Sequence, residues 1–317
     1  MKKLFIPLIA GLVLSCTYTT ARAQDEKEQA RENREKAREE ERRERYKSEY
    51  PEEFKEHISK QYTIQNAAAG VLTVYNLSGF IKVEGYAGDK VIIEIDKTIS
   101  AKTKDVLEQG KKEVKLGFEQ IGDSVVAYMV EPWDTRPHEW RDDNGWNEHR
   151  RIEYRCDLQY TVKVPFNINL RVSTVNDGDV TVKDVAGRLH VNNVNGGIAI
   201  ANAKGVTSAH TVNGPVTVNY TSNPNGDCSY YSVNGKITVT YQSNLSADLQ
   251  FKSMNGGYYT DFPDVEMLPT KVSITQDKKS GGTLYHINKN SAIRIGAGGK
   301  LFKFETLNGN IYIQKQS

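Results

Sequence analysis

The chain has 317 residues, room for one large domain or two ordinary ones and enough to bury a sizeable core. Its formal charge of +2 at pH 7 excludes a general electrostatic attraction to nucleic acid.

Lys2 and Lys3 open the chain, Leu4 to Leu14 is an apolar run, and Ala21-Arg22-Ala23 precedes Gln24. That charged, apolar, small-x-small order is the form of a secretory signal, so residues 1–23 are expected to direct export and to be removed. An eleven-residue run rises only about 16 Å as a helix, too little to span a bilayer. A second reading stays open. Val13-Leu14-Ser15-Cys16 has the form of a lipobox, in which Cys16 takes a lipid and becomes the new terminus. Plain cleavage is favoured, because Leu14 is unusual just before the small residue. No other segment is long and apolar enough to cross a membrane, so the mature chain is expected in the periplasm, on the outer-membrane surface or outside the cell. Removing residues 1–23 takes Lys2, Lys3 and Arg22, leaving 39 basic against 40 acidic residues, a net of −1. Partners of the nucleic-acid class are not expected.

Residues 24–60 form a charged arm of strong helix formers without glycine. Glu32 with Lys36, Glu39 with Arg43 and Glu41 with Arg45 are i,i+4 pairs in the favourable acid-first order, each worth about 0.2–0.5 kcal/mol. Apolar residues are sparse, so the arm is expected to be a solvated, partly helical linker.

After Gln61 the chain becomes rich in Val, Ile, Thr, Tyr, Asn and Gly, and a repeat emerges: apolar-Asn-Gly-x-apolar-x-apolar. Val194-Asn195-Gly196 precedes Ile198 and Ile200; Val212-Asn213-Gly214 precedes Val216 and Val218. Val233-Asn234-Gly235 precedes Ile237 and Val239, Met254-Asn255-Gly256 precedes Tyr258 and Thr260, and Leu307-Asn308-Gly309 precedes Ile311 and Ile313. Looser copies stand at Leu77-Ser78-Gly79 and Val175-Asn176-Asp177-Gly178. Gly178, Gly196, Gly214, Gly235 and Gly256 are spaced by 18, 18, 21 and 21 residues. Positions two and four after each glycine share a strand face and are apolar in nearly every copy, which predicts a buried face. Asn and Gly tolerate positive φ and are expected to turn the corner. One unit cannot bury its apolar face alone, whereas stacked units make a continuous core, with corner asparagines in reach of one another.

The expected fold is therefore all-β, a right-handed parallel β-helix or solenoid over residues 61–317. An antiparallel meander remains the alternative, since Asn-Gly is also the preferred hairpin turn. The Asn-Gly repeats, the signal and Tyr160-Thr161-Val162-Lys163-Val164-Pro165 together resemble a bacterial family of putative adhesins. The resemblance covers about residues 70–317. It implies a β-helical envelope protein with a binding role, and it brings no catalytic residues.

Residues 101–153 interrupt the repeat. Lys102 to Lys115 reads as one short amphipathic helix suited to cover an open end, and Val125 to Val130 as a strand. The loop from Glu131 to Arg151 holds all three tryptophans, Trp133, Trp140 and Trp146. Aromatics beside carboxylates suit sugar or peptide contact, so these three are the candidate ligand contacts, against the plainer reading that they staple the loop to the sheet.

Cys156 and Cys228 remain in the mature chain, where an oxidising compartment permits a disulfide between them. Two cysteines fall short of a structural zinc site, and no metal or cofactor is expected. No nucleophile elbow, His-Glu-x-x-His helix or phosphate loop is present. His190 and His210 lie on strands beside the repeats and read as face residues. The sequence favours a non-enzymatic envelope protein that binds a glycan or another envelope protein. The alternatives are a carbohydrate-active enzyme using acidic residues of the 131–151 loop, and an accessory or regulatory envelope protein.

Overall fold

The computed structural model describes residues 48–140, 151–279 and 282–316. The signal, Cys16, most of the arm and Trp146 lie outside the described residues.

Two large sheets carry the chain. The first has ten strands in the order β1 (Glu52–Thr63), β4 (Lys90–Ala101), β7 (Tyr154–Pro165), β3 (Ile81–Tyr86), β9 (Val180–Lys183), β11 (Ile198–Ala203), β13 (Val216–Tyr220), β15 (Ile237–Tyr241), β21 (Ile311–Lys315) and β17 (Tyr258–Thr260). The second has eleven, in the order β18 (Val265–Lys279), β19 (Gly282–Ile295), β16 (Ala247–Asn255), β20 (Lys300–Asn308), β14 (Cys228–Asn234), β12 (Thr207–Asn213), β10 (Leu189–Asn192), β8 (Asn169–Ser173), β2 (Val71–Tyr75), β6 (Ser124–Glu131) and β5 (Lys115–Ile121). One α-helix, α1 (Lys104–Glu113), joins them among the described residues.

Both sheets are mixed. Through the Asn-Gly repeats the pairing is parallel: Val216 lies beside Ile198 on one side and Ile237 on the other. The strands flanking Asn213-Gly214, β12 and β13, belong to different sheets, so this Asn-Gly is a corner between sheets. The ends are different. β1, β4 and β7 pair antiparallel, as do β5 with β6 and β19 with both β18 and β16. The expectation of one parallel β-helix through 61–317 is corrected accordingly. Antiparallel strands of the kind the meander alternative supposes build the N-terminal end of both sheets and the C-terminal end of the second, whereas the first sheet ends in the parallel pair β21 and β17. A parallel stack left bare presents open edges, and a hairpin needs only a tight turn to add a strand to one.

The inward columns follow the repeat. Ile198, Ile200, Val216, Val218, Ile237, Val239, Ile311 and Ile313 are all buried in one core, each worth about 1.5–3 kcal/mol of transfer free energy. Toward the C-terminal end the core becomes aromatic. Tyr220 stacks on Tyr241 with ring centroids 5.2 Å apart, and Tyr241 on Phe302 at 5.3 Å. The hydroxyl of Tyr241 donates to that of Tyr230 at 3.1 Å, and the Tyr220 and Tyr230 hydroxyls lie 2.8 Å apart, which satisfies polar groups that burial would otherwise penalise.

One boundary departs from the sequence reading and one element follows it. The charged arm was expected to extend as a partly helical linker to residue 60, but β1 begins at Glu52 and pairs with β4 from Glu52↔Ala101 to Thr63↔Lys90. Phe54, Ile58 and Tyr62 recur every fourth residue, a spacing that a helix face and a strand face share; they pack against the core from the strand. The helix expected between Lys102 and Lys115 forms as α1, with Thr103 Oγ1 accepting from the Val106 N–H at its N-cap. It lays Leu107 and Gly110 on the inner side of β4 and β7, where a Cβ at Gly110 would meet the Tyr154 ring at 2.9 Å.

Candidate functional site

The Asn-Gly corner is the most ordered feature of the repeats. Asn195 donates its side-chain N–H to Asn176 Oδ1 at 2.8 Å, Asn213 to Asn195 at 2.8 Å, and Asn234 to Asn213 at 2.8 Å. Asn308 then donates to Asn234 at 2.7 Å and Asn255 to Asn308 at 2.8 Å. These are six amides in one unidirectional ladder. Its order places the copy at 307–309 between those at 233–235 and 254–256, because β20 and β21 insert between earlier coils.

The glycines beside the ladder have a different reason from the one expected. None of the ladder asparagines has positive φ; among the described non-glycine residues only Asp177, Asp184 and Asn202 do. What demands glycine is close stacking. A Cβ on Gly196 would sit 2.3 Å from the Gly178 carbonyl oxygen, and one on Gly235 1.9 Å from that of Gly214. Gly309 and Gly256 repeat the contact at 2.1 and 1.9 Å, each on the carbonyl of its neighbour in space. The corner is structural in both halves.

The outward face of the second sheet offers the chemistry. His190 on β10 and His210 on β12 are diagonal neighbours with ring centroids 6.4 Å apart. His210 Nε2 lies 2.9 Å from Ser229 Oγ on β14 and 3.3 Å from Ser208 Oγ, and Tyr231 meets its ring edge-on at 6.0 Å. Burial lowers the pKa of both histidines, aided by Arg171 at His190 and by His190 at His210. Among the described residues no carboxylate orients either ring, so there the Ser–His contacts lack the third member that a hydrolytic triad uses. The row was legible in part. His190, Ser208 and Ser229 stand 18 and 21 residues apart, which is the repeat period itself.

This face is bounded at one end by the tryptophan loop. Thr135 Oγ1 donates to the Tyr75 carbonyl at 2.8 Å and accepts from the Met129 N–H at 3.0 Å. Arg136 pairs with Asp134 at 2.8 Å and lies over the Tyr128 ring at 4.5 Å. Trp140 meets Tyr75 edge-on at 6.1 Å yet stays 46% exposed, and Trp133 is 41% exposed. The loop is thus stapled to the sheet at Tyr75 and still leaves two indoles in reach of solvent.

The cysteine expectation is corrected. Cys156 lies on β7 in the first sheet and Cys228 on β14 in the second, and both thiols are free and buried. Burial pushes the Cys156 thiol up to about 12 and raises that of Cys228, which accepts from the Thr207 N–H at 3.4 Å. Among the described residues, no group of three or more His, Cys, Asp or Glu side chains is arranged to hold a metal ion, and no helix is long and apolar enough to cross a membrane.

No family model and no curated protein matches the chain. Solved structures align with it at low similarity. A putative cell adhesion protein from Clostridium sporogenes is 9% identical with a TM-score of 0.41, over 83% of this chain and 100% of that one. A putative adhesin from Bacteroides fragilis is 9% identical with a TM-score of 0.32, over 82% and 97%. A putative lipid binding protein from Parabacteroides distasonis is 10% identical with a TM-score of 0.27, over 82% and 97%. The chain is similar over most of its length to bacterial proteins named for adhesion or lipid binding, at a level that leaves its own function to be argued from its surface.

Proposed function

We propose that this is an exported, non-enzymatic binding or structural protein of the cell envelope. Its repeats wind as a right-handed solenoid that holds a long β-face toward a glycan or an envelope protein. The right hand is the one that parallel crossovers adopt almost without exception. The observation that carries the reading is the outer face of the second sheet. His190, Ser208, His210, Ser229 and Tyr231 point outward there, beside the exposed apolar side chains Val212, Leu307 and Met254 of the corner. Such a mixture of aromatic, hydroxyl and apolar groups on a rigid support suits recognition, with Trp133 and Trp140 at its margin.

The test is a glycan array, together with sedimentation against purified peptidoglycan, using the mature chain. Retention without turnover supports the reading, and alanine at both Trp133 and Trp140 is expected to weaken it. Release of shortened saccharide would overturn it in favour of a carbohydrate-active enzyme. Asp134, one of the described carboxylates of the loop, is paired with Arg136.

A further inference from the structure

Each coil has a second corner, opposite the asparagine ladder, where the chain passes from the first sheet to the second. Here the stacked residues are Asp184 after β9 and Asn202 on β11, both with φ of 58°. They are 18 residues apart, as are Gly187 and Gly205 just beyond them, so this corner repeats with the same period. Asp and Asn are the side chains that tolerate the left-handed region best after glycine. Asn202 Nδ2 donates to Asp184 Oδ1 at 2.7 Å.

Unlike the ladder corner, this one is hollowed. A groove of about 590 Å³ runs along it, lined by Phe166, Asn167, Asp184, Asn202, Lys204 and Thr221. That volume falls within the roughly 300–1,000 Å³ of small-molecule sites. Phe166 is 42% exposed, unusual for its type, and is held against the backbone: a Cβ on Gly85 would lie 3.0 Å from its Cδ1. Among the described residues, no protein partner engages the Asn167 side chain, the Lys204 ammonium or Asn202 Oδ1. The groove therefore combines one fixed aromatic ring with uncommitted donors and an uncommitted acceptor. Lys204 and Asp184 oppose each other in charge, so neither anions nor cations are favoured.

We propose that this groove binds a neutral saccharide, stacking the C–H face of a pyranose on Phe166 and pairing its hydroxyls with Asn167, Asn202 and Lys204. The proposal rests on the binding reading above and assigns it a ligand class and a place apart from the tryptophan loop. The ring supplies the apolar contact and the amides the orientation, the usual division in small-ligand sites.

The experiment presents the mature chain to a panel of neutral oligosaccharides and follows the best ligand by calorimetry. Phe166→Ala and Asn202→Gly are compared with Tyr259→Ala, an exposed ring on β17 of the first sheet; glycine keeps the left-handed backbone while removing the amide, so folding is preserved. Binding is expected to weaken about tenfold or more in the first two variants and to stay unchanged in the third. Thermal unfolding of each variant confirms the fold, and Lys204→Ala serves if the glycine variant is unstable. Saccharide binding that survives both groove variants would sink the groove while leaving the binding reading intact. Absence of any neutral-saccharide binding sinks it too, and retention on peptidoglycan by the same wild-type protein would then show that the broader reading survives.

Discussion

The repeat coils and the N-terminal end of the molecule belong to the same two sheets but are held by different chemistry. In the coils each residue stacks on its equivalent one coil away. Asparagine meets asparagine, glycine meets carbonyl, and Val216 meets Ile198 and Ile237, with few charges taking part. At the N-terminal end the antiparallel strands β1 and β4 are laced by unlike groups. His57 lies 2.7 Å from Asp96 and 2.8 Å from Glu94 and donates to both when protonated, and Lys97, its side chain nearly buried, pairs with Glu56. Lys115 pairs with Glu131 at 3.0 Å where β5 meets β6. Equivalent neighbours can share only chemistry that tolerates its own kind, such as amides, which both donate and accept. Charges have to be moved to the ends, where the partner differs.

Four measurements press on that contrast. The largest effect is expected at the core of a coil. Val216→Asp buries a charge without a partner and should prevent soluble folding, whereas Thr217→Asp, on the solvent side of the same strand, should change stability by about 0.5 kcal/mol or less. Soluble yield and thermal unfolding of the pair decide this, and equal tolerance of both would remove the inward column. Next comes Gly235→Ala, which forces the Gly214 carbonyl away from a new methyl at 1.9 Å. A loss of about 1–3 kcal/mol in denaturant unfolding is expected. An unchanged midpoint would mean that the coils are not stacked this closely.

Asn213→Ala breaks two ladder bonds, one to Asn195 and one from Asn234. Because the corner is exposed, water replaces part of what is lost, and about 1 kcal/mol is expected. A neutral result would reduce the ladder to a consequence of stacking. The smallest effect is electrostatic and confined to the N-terminal end. The Asp96 and Glu94 carboxylates raise the folded-state pKa of His57 above its ordinary value. The resulting stabilisation is full below the unfolded histidine pKa and disappears as pH rises through the raised folded value. Protection of the β1 amides, taken relative to intrinsic exchange at each pH, should therefore fall across that window and with added salt, since the pair is exposed, while protection in β13 stays level. A His57→Asn variant should lose the pH response of β1.

How much was legible differs element by element. The inward columns at Ile198, Val216 and Ile237 were readable because alternation reports a buried face wherever the partner strand lies. The helix at Lys104–Glu113 was readable from its charged, intermittently apolar pattern. β1 was not, since Phe54, Ile58 and Tyr62 fit a helix face equally well and only pairing with β4 decides between them. The groove at the second corner was missed although Asp184 and Asn202 keep the repeat spacing, because nothing local distinguishes a hollow corner from a filled one. Of the tryptophans, the described pair stays partly in reach of solvent, but no residue pattern foretold the staple of Thr135 on Tyr75.

By itself the sequence determined the repeat period, the apolar register within each strand and the identity of the ladder residues. These rest on local rules that hold whatever the neighbour is. Tertiary structure alone decided that β20 and β21 lie between the third and fourth copies, that antiparallel strands close the N-terminal end of both sheets and the C-terminal end of the second, and that Cys156 and Cys228 sit in different sheets. The reason lies in the repeat. Coils with the same columns and the same corner present nearly identical edges, so their sequences cannot say which stacks on which. Chain connectivity and packing of the whole make that choice.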